Sequence, residues 1–218
     1  MQFLLDSAEY EEARICAQWG WVSGITTNPS ILAKNGKPVE KILAKLKGIM
    51  PGPIFYQLTS ESKDLMVEEA RVAYDILKKR LVLKIPATTV GFQACDHLSK
   101  KYTCAITSIF STSQAMVANA AGAKYALYYH NRAKRLLKKG EDLPAEMVNA
   151  LKHSGTAVIA ASLKSVQEIL EARKAGVQIM TTTMAVLEQI AHHELTEQAV
   201  MEFQGNGIGL HIKSGEDR

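Results

Sequence analysis

Short apolar runs alternate with amphipathic stretches along the whole chain. Eight runs, at 3–5, 24–27, 54–58, 81–85, 103–108, 125–129, 156–161 and 177–181, are continuous and bounded by Gly, Pro or polar residues. Each reads as a buried strand, because a strand covered on both faces shows an unbroken apolar run rather than alternation. Between them the apolar positions recur at helical spacing. Val39, Ile42, Leu43, Leu46 and Ile49 form one face, and Val166, Ile169 and Leu170 form another that stops at Gly176. Residues 62–79 make a longer helical face, 112–121 end at Gly122, and Pro144 suits the first turn of a helix over 146–153 closed by Gly155. Strand starts recur roughly every 25 residues, about one β/α unit. Eight such units predict an α/β fold of the (β/α)8, or TIM-barrel, type. A doubly wound open sheet is the rival, but the chain contains no Gly-rich phosphate turn of either common pattern.

Length sharpens that reading. At 218 residues, eight β/α units leave little room for insertions, so the barrel is compact. No linker-like stretch divides the chain. Residues 1–204 are expected to form one domain that includes apolar C-terminal helices from Met184 onward, and 205–218 a Gly-rich, polar, flexible tail. Hydrophobic residues make up 47% and charged residues 22%, which excludes a disordered chain. No apolar run is long enough to cross a membrane. The opening Met1-Gln2-Phe3-Leu4-Leu5-Asp6 has no basic region and meets an acid at once, unlike a signal peptide. Cys16, Cys95 and Cys104 are odd in number and form no CxxC pair, so a reducing, cytoplasmic setting is expected. The net charge of +4 permits an anionic partner without requiring nucleic acid.

In a barrel of this kind chemistry sits at the C-terminal ends of the strands. Those ends are polar throughout: Asp6; Thr26-Thr27-Asn28-Pro29; Gln57; Lys84; Thr107-Ser108; Tyr129-His130-Asn131-Arg132; Ser162-Leu163-Lys164; and Thr181-Thr182-Thr183. Lys84 stands out, because it lies inside Leu81-Val82-Leu83-Lys84-Ile85-Pro86. An amine buried there loses solvation, which favours its neutral, nucleophilic form. The alternative is an ordinary lysine at an exposed pleat or paired with an acid. Asp6 and Asn28 have plain readings too, as caps of the helices that follow them. Arg132, with Lys134, Arg135, Lys138 and Lys139, also reads as a solvated basic face.

The motifs together resemble one family. Phe3-Leu4-Leu5-Asp6-Ser7-Ala8, Gly24-Ile25-Thr26-Thr27-Asn28-Pro29-Ser30, Val82-Leu83-Lys84-Ile85-Pro86 and Ala160-Ala161-Ser162 are similar, in that order, to the small transaldolases and fructose-6-phosphate aldolases. These are Schiff-base aldolases on a (β/α)8 barrel, and the resemblance runs from Met1 to about Gln204. It implies that Lys84 forms the Schiff base, with no metal and no other cofactor. It further implies that Tyr129 handles the proton of the C4 hydroxyl, directly or through a water held by Gln57 and Thr107, and that Asp6 assists proton transfer. Asp6 and Asn28 would hold substrate hydroxyls, Thr26 would also bind substrate, and Arg132 and Ser162, with Lys164 nearby, would hold the phosphate. Gln57 and Tyr129 stand where transaldolases usually carry glutamate and phenylalanine. Both resemble the fructose-6-phosphate aldolase branch, so cleavage of fructose 6-phosphate to dihydroxyacetone and glyceraldehyde 3-phosphate is the first expectation. Transfer of the dihydroxyacetone unit between sugar phosphates, as in the pentose phosphate pathway, is the alternative, as is a ketose with another anion at C6. Leu127, Tyr128 and His130 are bulkier than the branch usually shows beside Tyr129. The resemblance implies a homo-oligomer, a pentamer or decamer, joined through the C-terminal helix.

Two other classes compete. His192-His193-Glu194 is the lone His/acid cluster, but adjacent helical residues point about 100° apart and make no ligand pair. A nucleic-acid binder could use Tyr128, Tyr129 and the basic run, yet the run is short and is followed by Glu141 and Asp142. A small-molecule sugar phosphate is the expected partner, with neither nucleic acid nor membrane.

Overall fold

The computed structural model describes residues 1–137 and 142–210. Eight strands, β1 (Gln2–Asp6), β2 (Val22–Thr26), β3 (Ile54–Gln57), β4 (Leu81–Pro86), β5 (Thr103–Ile109), β6 (Tyr125–Tyr129), β7 (Ala157–Leu163) and β8 (Ile179–Thr182), pair in parallel and in sequence order. β1 also pairs with β8, which closes the barrel. The helices are α1 (Tyr10–Gln18), α2 (Pro29–Asn35), α3 (Val39–Ile49), α4 (Lys63–Leu77), α5 (Thr89–Leu98), α6 (Thr112–Ala120), α7 (His130–Leu136), α8 (Leu143–Ala150), α9 (Val166–Lys174), α10 (Met184–Ala191) and α11 (Glu194–Asn206). The expected α/β TIM barrel is therefore the fold.

Strand parity divides the core in two. Leu4, Phe55, Val82, Ala105, Leu127, Ile159, Ala161 and Ile179 meet inside the barrel. Their strand neighbours Leu5, Ile25, Ile54, Leu83, Ile106, Ala126 and Met180 pack outward among helix residues such as Leu43, Leu77 and Ala115. Period-two alternation is thus real, but both faces are buried, which is why the sequence shows runs.

The differences from the expected boundaries have local causes. Val177 precedes β8 instead of starting it. Its N–H bonds to the Ala172 carbonyl and that of Gly176 bonds to Arg173, with Gly176 at φ +94°, so Val177 belongs to the Schellman end of α9. Helix α8 stops at Ala150 because the Ser154 hydroxyl donates to the Leu151 carbonyl and accepts from the Thr156 N–H, turning the chain. Helix α11 continues to Asn206, and 207–210 are exposed without regular structure. Residues 211–218 of the expected tail, Lys138 and Lys139 of the basic run, and Glu141 after it lie outside the described residues. Among the described residues no helix is long and apolar enough to cross a membrane.

One close approach fixes β4 against its helix. A Cβ on Gly91, in the first turn of α5, would fall 2.0 Å from the Pro86 carbonyl oxygen, and the backbone there cannot yield without moving β4. Gly91→Ala should therefore lower stability by about 1–3 kcal/mol, read as a drop in Tm. An unchanged Tm would show that the α5–β4 contact is not tight.

Candidate active site

The inward-facing parity continues from the apolar layer into a polar one. Register pairs Gln57 with Lys84, Asp6 with Thr26, Pro86 with Thr107 and Tyr129 with Ala161. The chain thus brings Asp6, Thr26, Gln57, Lys84, Thr107 and Tyr129 to one end of the barrel, at the strand C-termini. The alternative readings of Lys84 do not hold: it is only 3% exposed, and among the described residues no carboxylate lies within ion-pair distance. Its amine donates to the Thr27 carbonyl at 2.7 Å. Burial pushes its pKa below the ordinary lysine value of 10.5, against upward pulls from Tyr129 and Asp6. A desolvated amine on a rigid strand is a nucleophile toward carbonyls.

Asp6 does not cap α1, whose N-cap is Glu9. Its carboxylate instead accepts from the Thr26 hydroxyl at 2.8 Å. Because that hydroxyl has one proton, its contact with Thr181 at 2.5 Å makes Thr181 the donor, giving a relay Thr181 to Thr26 to Asp6. Asn28 is a cap as well as a rim residue: its Oδ1 accepts from the Ile31 N–H at 3.0 Å and opens α2 ahead of Pro29. Gln57 Oε1 is buried with no hydrogen-bond partner in the protein. A buried acceptor of that kind calls for an explanation, and its register places Gln57 directly beside Lys84.

Tyr129 is held by two hydroxyls, Thr107 and Ser108, each donating to its phenolic oxygen at 3.3 Å. Phe110 meets the ring edge-on at 6.2 Å between centroids, and the Arg132 guanidinium lies over it, 4.9 Å from the centroid. Arg132 is therefore stacked at the rim rather than simply solvated. Ser162 follows Ala161, the partner of Tyr129, so the ends of β6 and β7 bring Arg132 and Ser162 to the same side. Lys164 is exposed just beyond. Ser108 and Ser162 both adopt left-handed backbone, φ +61° and +58°, beside register shifts in β5 and β7. Each costs about 1–2 kcal/mol relative to ordinary backbone, and such strain concentrates at functional sites.

Two bulky residues prove to face away. Tyr128 is fully buried in the outer core, and its hydroxyl bonds His130 Nδ1 at 3.1 Å. Only Leu127 projects into the barrel interior. Sequence reasoning missed Ser108 and Thr181 as supports of Tyr129 and Asp6, and Glu168 altogether. Parity along β8 could have found Thr181. The left-handed Ser108 leaves no sequence signal. His192 and His193 do not converge: His192 lies 3.7 Å from Glu197, while His193 caps α11.

The family model for transaldolase/fructose-6-phosphate aldolase matches residues 3–212. A probable transaldolase of Symbiobacterium thermophilum is 36% identical over 206 residues, covering 93% of this chain and 95% of that one. One from Caldicellulosiruptor saccharolyticus is 36% identical over 209 residues, covering 93% and 95%, and one from Alkaliphilus metalliredigens is 33% identical over 213, covering 96% and 99%. Among solved structures, mandelate oxidase with benzoyl-formic acid superposes with a TM-score of 0.60 at 16% identity. It covers 84% of this chain, which spans 64% of the oxidase, and the likeness shows the barrel fold alone.

The buried amine makes stability depend on pH. Between its depressed pKa and 10.5 the folded protein binds fewer protons at Lys84 than the unfolded chain, so stability rises with pH across that window. Lys84→Met removes this dependence. The variant should be more stable than the parent at pH 7, with the gap narrowing toward pH 10 in denaturant titrations. A gap that stayed constant would mean that Lys84 keeps its ordinary pKa in the fold.

Proposed function

Because the chain belongs to the transaldolase/fructose-6-phosphate aldolase family, whose members react through a lysine Schiff base without a cofactor, we propose that Lys84 forms that Schiff base with the C2 ketone of a ketose phosphate, and that the enzyme transfers the resulting dihydroxyacetone unit between sugar phosphates. One observation carries the reading: among the described residues Lys84 is the one buried lysine, at the centre of the polar ring.

The neutral amine adds to C2, and loss of water leaves an iminium. That cation accepts the electrons of the C3–C4 bond as Tyr129 takes the C4 hydroxyl proton, directly or through a water held by Gln57 and Thr107. The aldehyde phosphate departs, and a three-carbon enamine remains on Lys84. Asp6, held by Thr26, assists the proton transfers of iminium formation, while Asn28 and Thr26 receive the hydroxyls. Arg132 supplies a guanidinium fork for the phosphate, with Ser162 and Lys164 beside it.

The fate of the enamine separates two activities. The names of the relatives favour addition to a second sugar phosphate, which is transfer. Gln57 favours the other outcome, protonation and hydrolysis to free dihydroxyacetone, because an amide cannot act as a carboxylate base on the water it holds. Fructose-6-phosphate aldolase activity is therefore the second reading, and a ketose with a different anion at C6 fits the same Arg132.

Helix α11 has no buried residue and exposes Leu195, Met201 and Phe203. We propose that it packs on a neighbouring copy, in pentameric rings or decamers. The protein's place is then the cytoplasm, where sugar phosphates are found and the free thiols of Cys16, Cys95 and Cys104 stay reduced.

Borohydride reduction in the presence of fructose 6-phosphate should leave a three-carbon adduct on Lys84, and Lys84→Met should abolish turnover. An adduct on another lysine would sink the mechanism. Turnover with and without erythrose 4-phosphate then separates transfer from release, and Gln57→Glu should raise the ratio of transfer to release. An unmoved ratio would remove Gln57 from that choice. Analytical ultracentrifugation should give a mass of five or ten chains, and a monomer would refute the role given to α11.

A further inference from the structure

Glu168 takes no part in the chemistry above, yet it is a carboxylate only 7% exposed. It sits in the first turn of α9. Ser165-Val166-Gln167-Glu168 has the form of a capping box, in which the glutamate turns back to the N–H of the cap residue. Only half of that box is built. The Ser165 hydroxyl accepts from the Glu168 N–H at 3.2 Å, so serine alone caps the helix. The Glu168 side chain reaches further. Oε1 accepts from the Asn131 side-chain amide at 2.7 Å, and Oε2 accepts from the Lys164 backbone N–H at 2.7 Å. One oxygen thus holds the residue before Arg132, and the other holds Lys164, just beyond the strand end that carries Ser162.

We propose that Glu168 is a positioning residue that locks the start of α7 to the end of β7, and so sets the spacing of the phosphate-binding groups Arg132, Ser162 and Lys164. The inference rests on the phosphate site proposed above. Electrostatics alone argues against placing this residue there, because a negative charge behind an anion site weakens anion binding. What it contributes is geometry. A single buried group with two acceptor oxygens, one taken from α7 and the other from the segment after β7, ties the two together beyond the pairing of β6 with β7. A second carboxylate one turn later reinforces the same seam. Glu171 Oε2 meets Lys134 at 2.8 Å and His130 Nε2 at 3.3 Å, tying α7 to α9 along its length. The Lys134 ammonium beside it is the main reason that the Glu171 carboxyl falls to about 2.

Kinetics with paired substrates tests the role. Donor cleavage is measured on fructose 6-phosphate, and on the unphosphorylated ketose fructose. Glu168→Ala should raise KM for the phosphorylated ketose about tenfold, with kcat changed less than twofold and kcat/KM for the unphosphorylated ketose retained. Glu168→Gln should recover part of the loss, since its amide oxygen accepts from one segment but not both. If the residue acted only through its charge, Glu168→Gln would lower KM, and the proposal would fail. It would fail equally if both substrates lost activity in proportion, the mark of a purely structural part. Asn131→Ala, which removes one arm only, gives the same split should Glu168→Ala not fold. Arg132→Ala is the control. If it does not discriminate between the two ketoses, the phosphate site itself is misassigned; if it does and the Glu168 variants do not, the positioning role alone is wrong.

Discussion

Everything at the mouth of this barrel is arranged around an amine taken out of water. Lys84 sits on a strand flanked on both sides by other strands, in a layer beneath which the barrel is filled with aliphatic and aromatic side chains. No counter-charge lies against it among the described residues, and its hydrogen bond goes to a neutral carbonyl. A carboxylate at contact distance would hold the proton on the nitrogen and remove its nucleophilicity. Asp6 is instead engaged by Thr26 and forms no ion pair with the amine.

The parallel sheet makes this arrangement possible. Each strand offers every second residue to the interior, and the register places the last inward residue of most strands at a common height. Below that height the residues are apolar and pack; at it they are polar and point into a common space. Two strands need more than regular geometry. β5 and β7 shift register near their ends and carry left-handed serines, Ser108 and Ser162. At β5 the distortion delivers a hydroxyl to Tyr129; at β7 it turns the chain toward the rim where Arg132 is stacked.

The rim is built differently from the centre. Lys84, Gln57 and Thr107 are fixed by strands, which need no further support. Arg132 lies in the first turn of α7 and Lys164 just beyond β7, and the buried carboxylate of Glu168 bonds both segments, through the Asn131 amide and the Lys164 N–H. This division agrees with the chemistry proposed. Bond making needs a fixed nucleophile, whereas phosphate recognition needs a fork held at the correct distance.

Much of this was legible in the sequence. Eight apolar runs separated by helical periods determine a parallel barrel, because buried parallel strands and their crossover helices leave those two signatures and few other folds alternate them eight times. A lysine inside an aliphatic strand already announces a desolvated amine, and the polar residue at each strand end marks the chemical face. Pairwise geometry was not legible, because it depends on contacts between residues far apart in the chain. Whether Asp6 capped a helix or met a neighbouring strand was settled by Thr26, twenty positions away. Whether Tyr128 crowded the pocket was settled by strand parity, which turns it to the helices and leaves Tyr129 inside. Glu168 read as part of a local cap, and only the packing of α7 against α9 made it a bridge. Local pattern determines which elements form and which face is buried; tertiary structure decides which polar atoms meet, since hydrogen-bond partners are chosen at distances of 3 Å that no linear spacing encodes.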